Sequence, residues 1–171
     1  HSSNCADELF REFYEGYEKK LRGSQMLDFD DMLVFCYELF RERKDILAMW
    51  QERFQYILVD EFQDINRIQY EIVKMLAGDR ANLFIVGDDD QSIYRFRGAK
   101  PEIMLGFEKD YPAARRMILN INYRCSQEIV DGARRLIGHN ARRFDKELTA
   151  ARGSKVPVVY RQLENVSAEC S

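Results

Sequence analysis

Apolar residues near the start of the chain recur at three- and four-residue spacing. In ADELFREFYEGYEKKLR, residues 6–22, this sets Leu9, Phe10, Phe13, Tyr14, Tyr17 and Leu21 on one stripe, the pattern of an amphipathic helix. Gly23-Ser24 interrupts it, and LDFDDMLVFCYELFRER then predicts a second helix. Its leading aspartates, Asp28, Asp30 and Asp31, can accept from free N–H groups and complement the helix dipole. From Phe54 the period changes: FQYILVD reads as a buried strand, INRIQYEIVKMLAG as a helix stopped by Gly78, and NLFIVGD as another buried strand. Strand, helix, strand of this length is a βαβ unit, which predicts parallel neighbours. A third apolar run, RMILNINYR, follows a helical stretch from Pro101 to Phe107 and is expected on a neighbouring strand. SQEIVDGARRLIGHN then predicts a helix with Ser126 as amino cap, followed by a basic loop and a strand at VPVVYRQL.

The strand ends hold the candidate chemistry. In ILVDEFQDIN, residues 57–66, a buried strand runs straight into Asp60 and Glu61. A strand merely ending at the surface accounts for this. So does a strand that delivers a metal-holding carboxylate and a general base to the rim of an α/β sheet, where such sheets bind ligands. The next strand ends in GDDDQSIYRFRGA, residues 87–99, where Gly87 permits a sharp turn and Gln91 lies just beyond the tip. A glutamine there can bond both a phosphate and an attacking water. The third run ends at Arg124, a cation suited to phosphoryl oxygens, so three neighbouring strands are expected to converge on metal, base, sensor and cation. Tyr94-Arg95-Phe96-Arg97 interleaves rings with guanidinium groups, as single-stranded nucleic acid requires, although core-and-surface alternation gives the same pattern.

Composition narrows the class. With 171 residues and 46% apolar content, the chain suits one compact domain or two small ones. No apolar run reaches the roughly 20 residues of a membrane helix, and no signal peptide is apparent. Cys5, Cys36, Cys125 and Cys170 lie far apart without zinc-like spacing, so reduced thiols and a cytoplasmic location are expected. The opening HSSN resembles a tag remnant, and a piece of something larger is expected. Net charge is -3, yet residues 115–155 hold ten Lys or Arg against four Asp or Glu. That stretch can meet phosphate, and a solvated helix face explains it equally well.

VDEFQD (59–64), VGDDDQSIYRFRGA (86–99) and NYR (122–124) together resemble motifs II, III and IV of the superfamily 1 DNA helicases of the UvrD, Rep and PcrA type. LDFDDML is similar to the segment preceding motif II in that family. The resemblance implies an α/β fold: part of a RecA-like P-loop NTPase motor domain, a parallel sheet with flanking helices, plus the beginning of a second motor domain. Residues 1–25 would close an inserted helical subdomain, 26–120 would form the C-terminal part of the first motor domain, and 121–171 would begin the second. It implies Asp60 as the Mg²⁺-associated carboxylate, Glu61 as the base, Gln91 as the γ-phosphate sensor and Arg124 as an arginine finger. Tyr94 and Phe96 would stack on single-stranded DNA with Arg97 beside them; many relatives carry Trp where Phe96 stands. The implied activity is ATP-dependent translocation, in the family usually 3′ to 5′, with unwinding of duplex DNA and roles such as DNA repair. The chain has no Gly-Lys pair and so no G-x-x-x-x-G-K-[ST] loop to cradle ATP. An internal fragment, inactive alone, is therefore expected; the alternative is a non-catalytic nucleic-acid- or protein-binding module. An exposed sheet edge would favour self-association.

Overall fold

The computed structural model describes residues 7–92, 98–153, 157–160 and 162. They form two units: the described residues up to Asp88 with Ser92–Ile103, and Asp89–Gln91 with those from Met104 onward.

The first unit begins with α1 (Asp7–Gly23), α2 (Phe29–Glu42) and α3 (Lys44–Arg53). Asp28 caps α2 in a reciprocal box, its carboxylate accepting from the Asp31 N–H while the Asp31 carboxylate accepts from the Asp28 N–H. The capping expectation therefore holds for Asp28 and Asp31. Arg22 at the end of α1 reaches both oxygens of Asp31 at 2.7 and 2.9 Å, and the Tyr17 hydroxyl donates to Asp28 at 2.9 Å. Arg22 thereby holds the Asp31 carboxyl below the usual carboxylate range, against an opposing contribution from burial. The apolar stripe of α1 is real but uncovered, with Phe13 68% exposed.

The sequence predicts no separate α3. RKDILAMWQER continues the apolar periodicity with no Gly or Pro to mark a break, and α2 instead stops at Arg43, whose φ of -108° and ψ of 83° are not helical. After α3 come β1 (Ile57–Val59), α4 (Arg67–Ala77) and β2 (Leu83–Ile85). The strands are parallel, with Ile57 opposite Leu83 and Val59 opposite Ile85, as the βαβ pattern predicts. Asn66 and Gln69 form a second capping box on α4, and Gly78 ends that helix at φ 52°. Helices α2, α3 and α4 pack together, and Phe40, Leu47, Phe62, Ile65, Tyr70 and Ala77 are buried in this unit. Phe62 is wholly buried, edge-on to Tyr70 with ring centroids 5.8 Å apart.

Short helices α5 (Pro101–Leu105) and α6 (Phe107–Asp110) occupy the helical stretch predicted from Pro101. The second unit then builds its own βαβ: β3 (Ile121–Ser126), α7 (Gln127–Ile137) and β4 (Thr149–Arg152), with β3 and β4 parallel. Two expectations are corrected here. The third apolar run does not join the first two strands; among the described residues β3 pairs only with β4, in a separate two-stranded sheet. The strand expected at VPVVYRQL is also absent from its described part, since residues 157–160 and 162 carry no strand. β3 instead takes TAAR as its partner, through Thr149 N–H to Asn120 C=O at 2.9 Å. Ala150 N–H is bound by the Gln127 side chain at 2.8 Å. Ser126 occupies the amino-cap position of α7, but its hydroxyl makes no capping bond. No helix among the described residues is long and apolar enough to cross a membrane.

Candidate active site

The tip of β1 is not a plain strand end. Val86 N–H donates to Val59 C=O at 2.8 Å, and Val86 C=O accepts from Phe62 N–H at 2.9 Å. A regular parallel ladder would return to residue 61, so the chain carries one extra residue opposite Val86, which is a bulge. Asp60 and Glu61 are the residues pushed out of the ladder, and both are exposed. Glu61 absorbs the turn in the left-handed region, at φ 50° and ψ 41°, which non-glycine residues seldom adopt. Phe62 and Ile65 anchor the far side of the excursion in the core.

Each carboxylate has a distinct environment. Asp60 Oδ1 accepts from Glu61 N–H at 2.9 Å, and its other oxygen carries no hydrogen bond among the described residues. An exposed hard oxygen with an unclaimed lone pair fits Mg²⁺, which keeps several waters and takes few protein carboxylates. Glu61 Oε2 instead accepts from Gln63 Nε2 at 2.7 Å. The other end of the Gln63 amide accepts from Asp88 N–H at 3.0 Å, joining the tips of β1 and β2. Gly87 makes this approach possible: a Cβ there would lie 2.6 Å from Gln63 Oε1 and 3.1 Å from Phe62 N. Asp60 and Glu61 stand out as candidates in the sequence, and Gln63 does not. Its spacing of two from Glu61 was visible, yet a glutamine after a strand reads as surface until its burial is known.

Gln91 and Arg124 belong to the second unit. Gln91 ends a 3-10 turn, Asp89–Gln91, and is exposed. The two aspartates before it are gripped by the loop after α7. Arg143 binds both oxygens of Asp90 at 2.7 and 2.9 Å, Lys146 bonds to Asp89 and lies 3.0 Å from Asp90, and Phe144 N–H donates to Asp89 at 2.8 Å. These cations of the basic stretch therefore serve an internal ion-pair cluster. Arg116 is engaged as well, 3.3 Å from Glu108 and over the Phe144 ring. Arg124 is exposed within an irregularity of β3, where the Asn122 side chain accepts from the N–H groups of Arg124 and Cys125 at 2.9 and 2.8 Å. Tyr94, Phe96 and Arg97 lie outside the described residues.

Comparison with known proteins shows the family. The putative ATP-dependent DNA helicase YjcD of Bacillus subtilis is 51% identical over 148 residues, 86% of this chain and 20% of that protein. ATP-dependent DNA helicase PcrA of Leuconostoc citreum is 41% identical over 170 residues, 99% of this chain and 23% of that protein. PcrA of Bacillus subtilis is 42% identical over 163 residues, 95% of this chain and 22% of that protein. The chain thus spans about a fifth of the length of the curated relatives it matches. Residues 1–112 match the family described as UvrD/REP helicase N-terminal domain, and the chain belongs to that helicase family.

Proposed function

We propose that the chain is an internal segment of an ATP-dependent DNA helicase, with the β1 tip supplying the carboxylates for ATP hydrolysis. The observation that carries this reading is the bulge opposite Val86. A strand that simply ends at the surface needs neither a left-handed glutamate nor a buried amide to hold that glutamate's carboxylate. In this reading Glu61 accepts the proton of the attacking water and Asp60 would hold Mg²⁺. Mg²⁺, when bound, neutralises charge on the phosphate oxygens. Gln91 senses the γ-phosphate, and Arg124 offers its guanidinium to it. Tyr94 and Phe96 stack on bases of single-stranded DNA, with Arg97 alongside.

The division into an inserted-subdomain end (1–25), a partial first RecA-like motor domain (26–120) and the beginning of a second (121–171) belongs to the same proposal. So does movement 3′ to 5′. The phosphate-cradling loop comes from elsewhere in the longer protein, because these 171 residues contain no Gly-Lys pair. That same sequence fact favours the second reading, a non-catalytic binding module.

Phosphate release by the longer protein, with nucleotide binding measured in parallel, separates the two. Glu61→Gln keeps nucleotide binding and lowers turnover by about 10²- to 10⁴-fold. Asp60→Asn weakens Mg²⁺-dependent binding as well as turnover. Wild-type turnover in the Glu61→Gln protein would remove the assigned role, and hydrolysis by the 171-residue chain alone would overturn the fragment reading.

A further inference from the structure

Gln63 is a polar side chain only 2% exposed, and both ends of its amide are occupied. The network fixes which way that amide points. Asp88 N–H needs an acceptor, so Oε1 must face it, and Nε2 is thereby turned toward the Glu61 carboxylate. A flipped amide would set N–H against N–H at one end and oxygen against carboxylate at the other. The residue is further held through its backbone, where Gln63 C=O accepts from the Ser92 hydroxyl at 3.3 Å. The missing Cβ of Gly87 provides the space, as any side chain there would collide with Gln63 Oε1.

We infer that Gln63 is a positioning residue of the hydrolytic site, holding the Glu61 carboxylate in one orientation and tying it to the backbone of Asp88. The inference rests on the reading of Glu61 as the base. It also gives that base a mechanical link to the β2 tip: a displacement of Asp88 N–H is felt at Glu61 through a single rigid amide. Asp88 lies three residues before Gln91, so the segment assigned to sensing phosphate is joined by a short stretch of chain to the group assigned to activating water.

Two substitutions separate the ends of the amide. Gln63→Met is close in volume and lacks both polar ends. Gln63→Glu keeps an acceptor for Asp88 N–H but loses the donor to Glu61. In the longer helicase carrying this segment, both are expected to lower kcat about tenfold or more while the KM for ATP stays within about twofold. In single-turnover measurements on a Glu61→Gln background, Gln63→Met should cause little further loss, because the group it positions is gone. Equal fractional losses in both backgrounds, or wild-type kcat in Gln63→Met, overturn the inference. Wild-type turnover in Glu61→Gln alone would instead overturn the reading of Glu61 as base, and the inference with it.

An experiment on the 171-residue chain needs no Gln63 variant. The side-chain amide protons of Gln63 should shift in the NMR spectrum on Glu61→Ala and their exchange with solvent should accelerate. Unchanged Gln63 resonances would show that the bond to Glu61 does not form.

Discussion

Asp90 is held by two cations in a pocket that leaves its side chain 14% exposed. The Arg143 guanidinium holds its carboxyl below the usual range, burial opposes this, and Lys146 adds to the lowering. A carboxyl whose folded pKa lies below its unfolded value stabilises the fold above the unfolded pKa, about 3.9 for Asp, and loses that contribution as pH falls through the folded value. Urea unfolding near pH 7 should therefore show Asp90→Asn to be less stable than wild type by on the order of 1–3 kcal/mol. The gap should narrow as pH drops below about 4. A pH-independent gap would mean that packing, not charge, is what the substitution removes. The same residues mark the limit of what sequence reveals at this scale. Residue types pointed to Asp60, Glu61, Gln91 and Arg124 as chemically active groups, but ion-pair partners more than fifty positions away, such as Arg143 for Asp90, leave no local signature.

Elements follow local pattern where pattern alone determines them. Capping at Asp28, the α4 stop at Gly78 and the parallel pairing of β1 with β2 were all legible, because each depends on neighbours in sequence or on one short crossover. No strand forms in the described part of VPVVYRQL because β-propensity supplies no partner, whereas Thr149–Arg152, poor in β-formers, has a ladder waiting on β3. The bulge was invisible for a related reason: an extra residue is defined only by counting against the opposite strand. Its stability depends on Gly87, and Gly87→Ala is expected to cost about 1–3 kcal/mol, since Cβ would overlap Gln63 Oε1 and crowd the Phe62 N–H. Thermal melting measures the loss, and an Asp88 amide that exchanges faster in the variant would locate it at the strand tips. An undiminished melting temperature would show that the tips yield freely.

At the scale of the whole molecule, both described sheets are small, and among the described residues the first leaves one face bare. Leu58 is 72% exposed and Phe84, its register partner, 53%. Tyr56 and Val86, flanking them along the strands, are 74% and 42% exposed. Parallel sheets are ordinarily covered on both faces, and a contiguous apolar surface of this kind favours association. The 171-residue chain should therefore self-associate at micromolar concentration in sedimentation experiments, with little relief from added salt. Leu58→Glu or Phe84→Glu should shift it toward monomer; an unchanged distribution would assign the association to another surface, such as the exposed stripe of α1.

The extra residue opposite Val86 also sets a rule for insertions and deletions. Between Val59 and Phe62 the bulge depends on the number of residues, whereas the chemistry proposed for the tip depends on both number and identity. Losing one codon in frame would let residue 61 of the shortened chain fall into the ladder, with its backbone relaxed and every hydrogen bond in register. Such a product would fold at least as well as its parent while keeping only one of the two carboxylates, on a regular strand and not a bulge, so a screen for expression or thermal stability would pass it and only an assay of turnover would reject it.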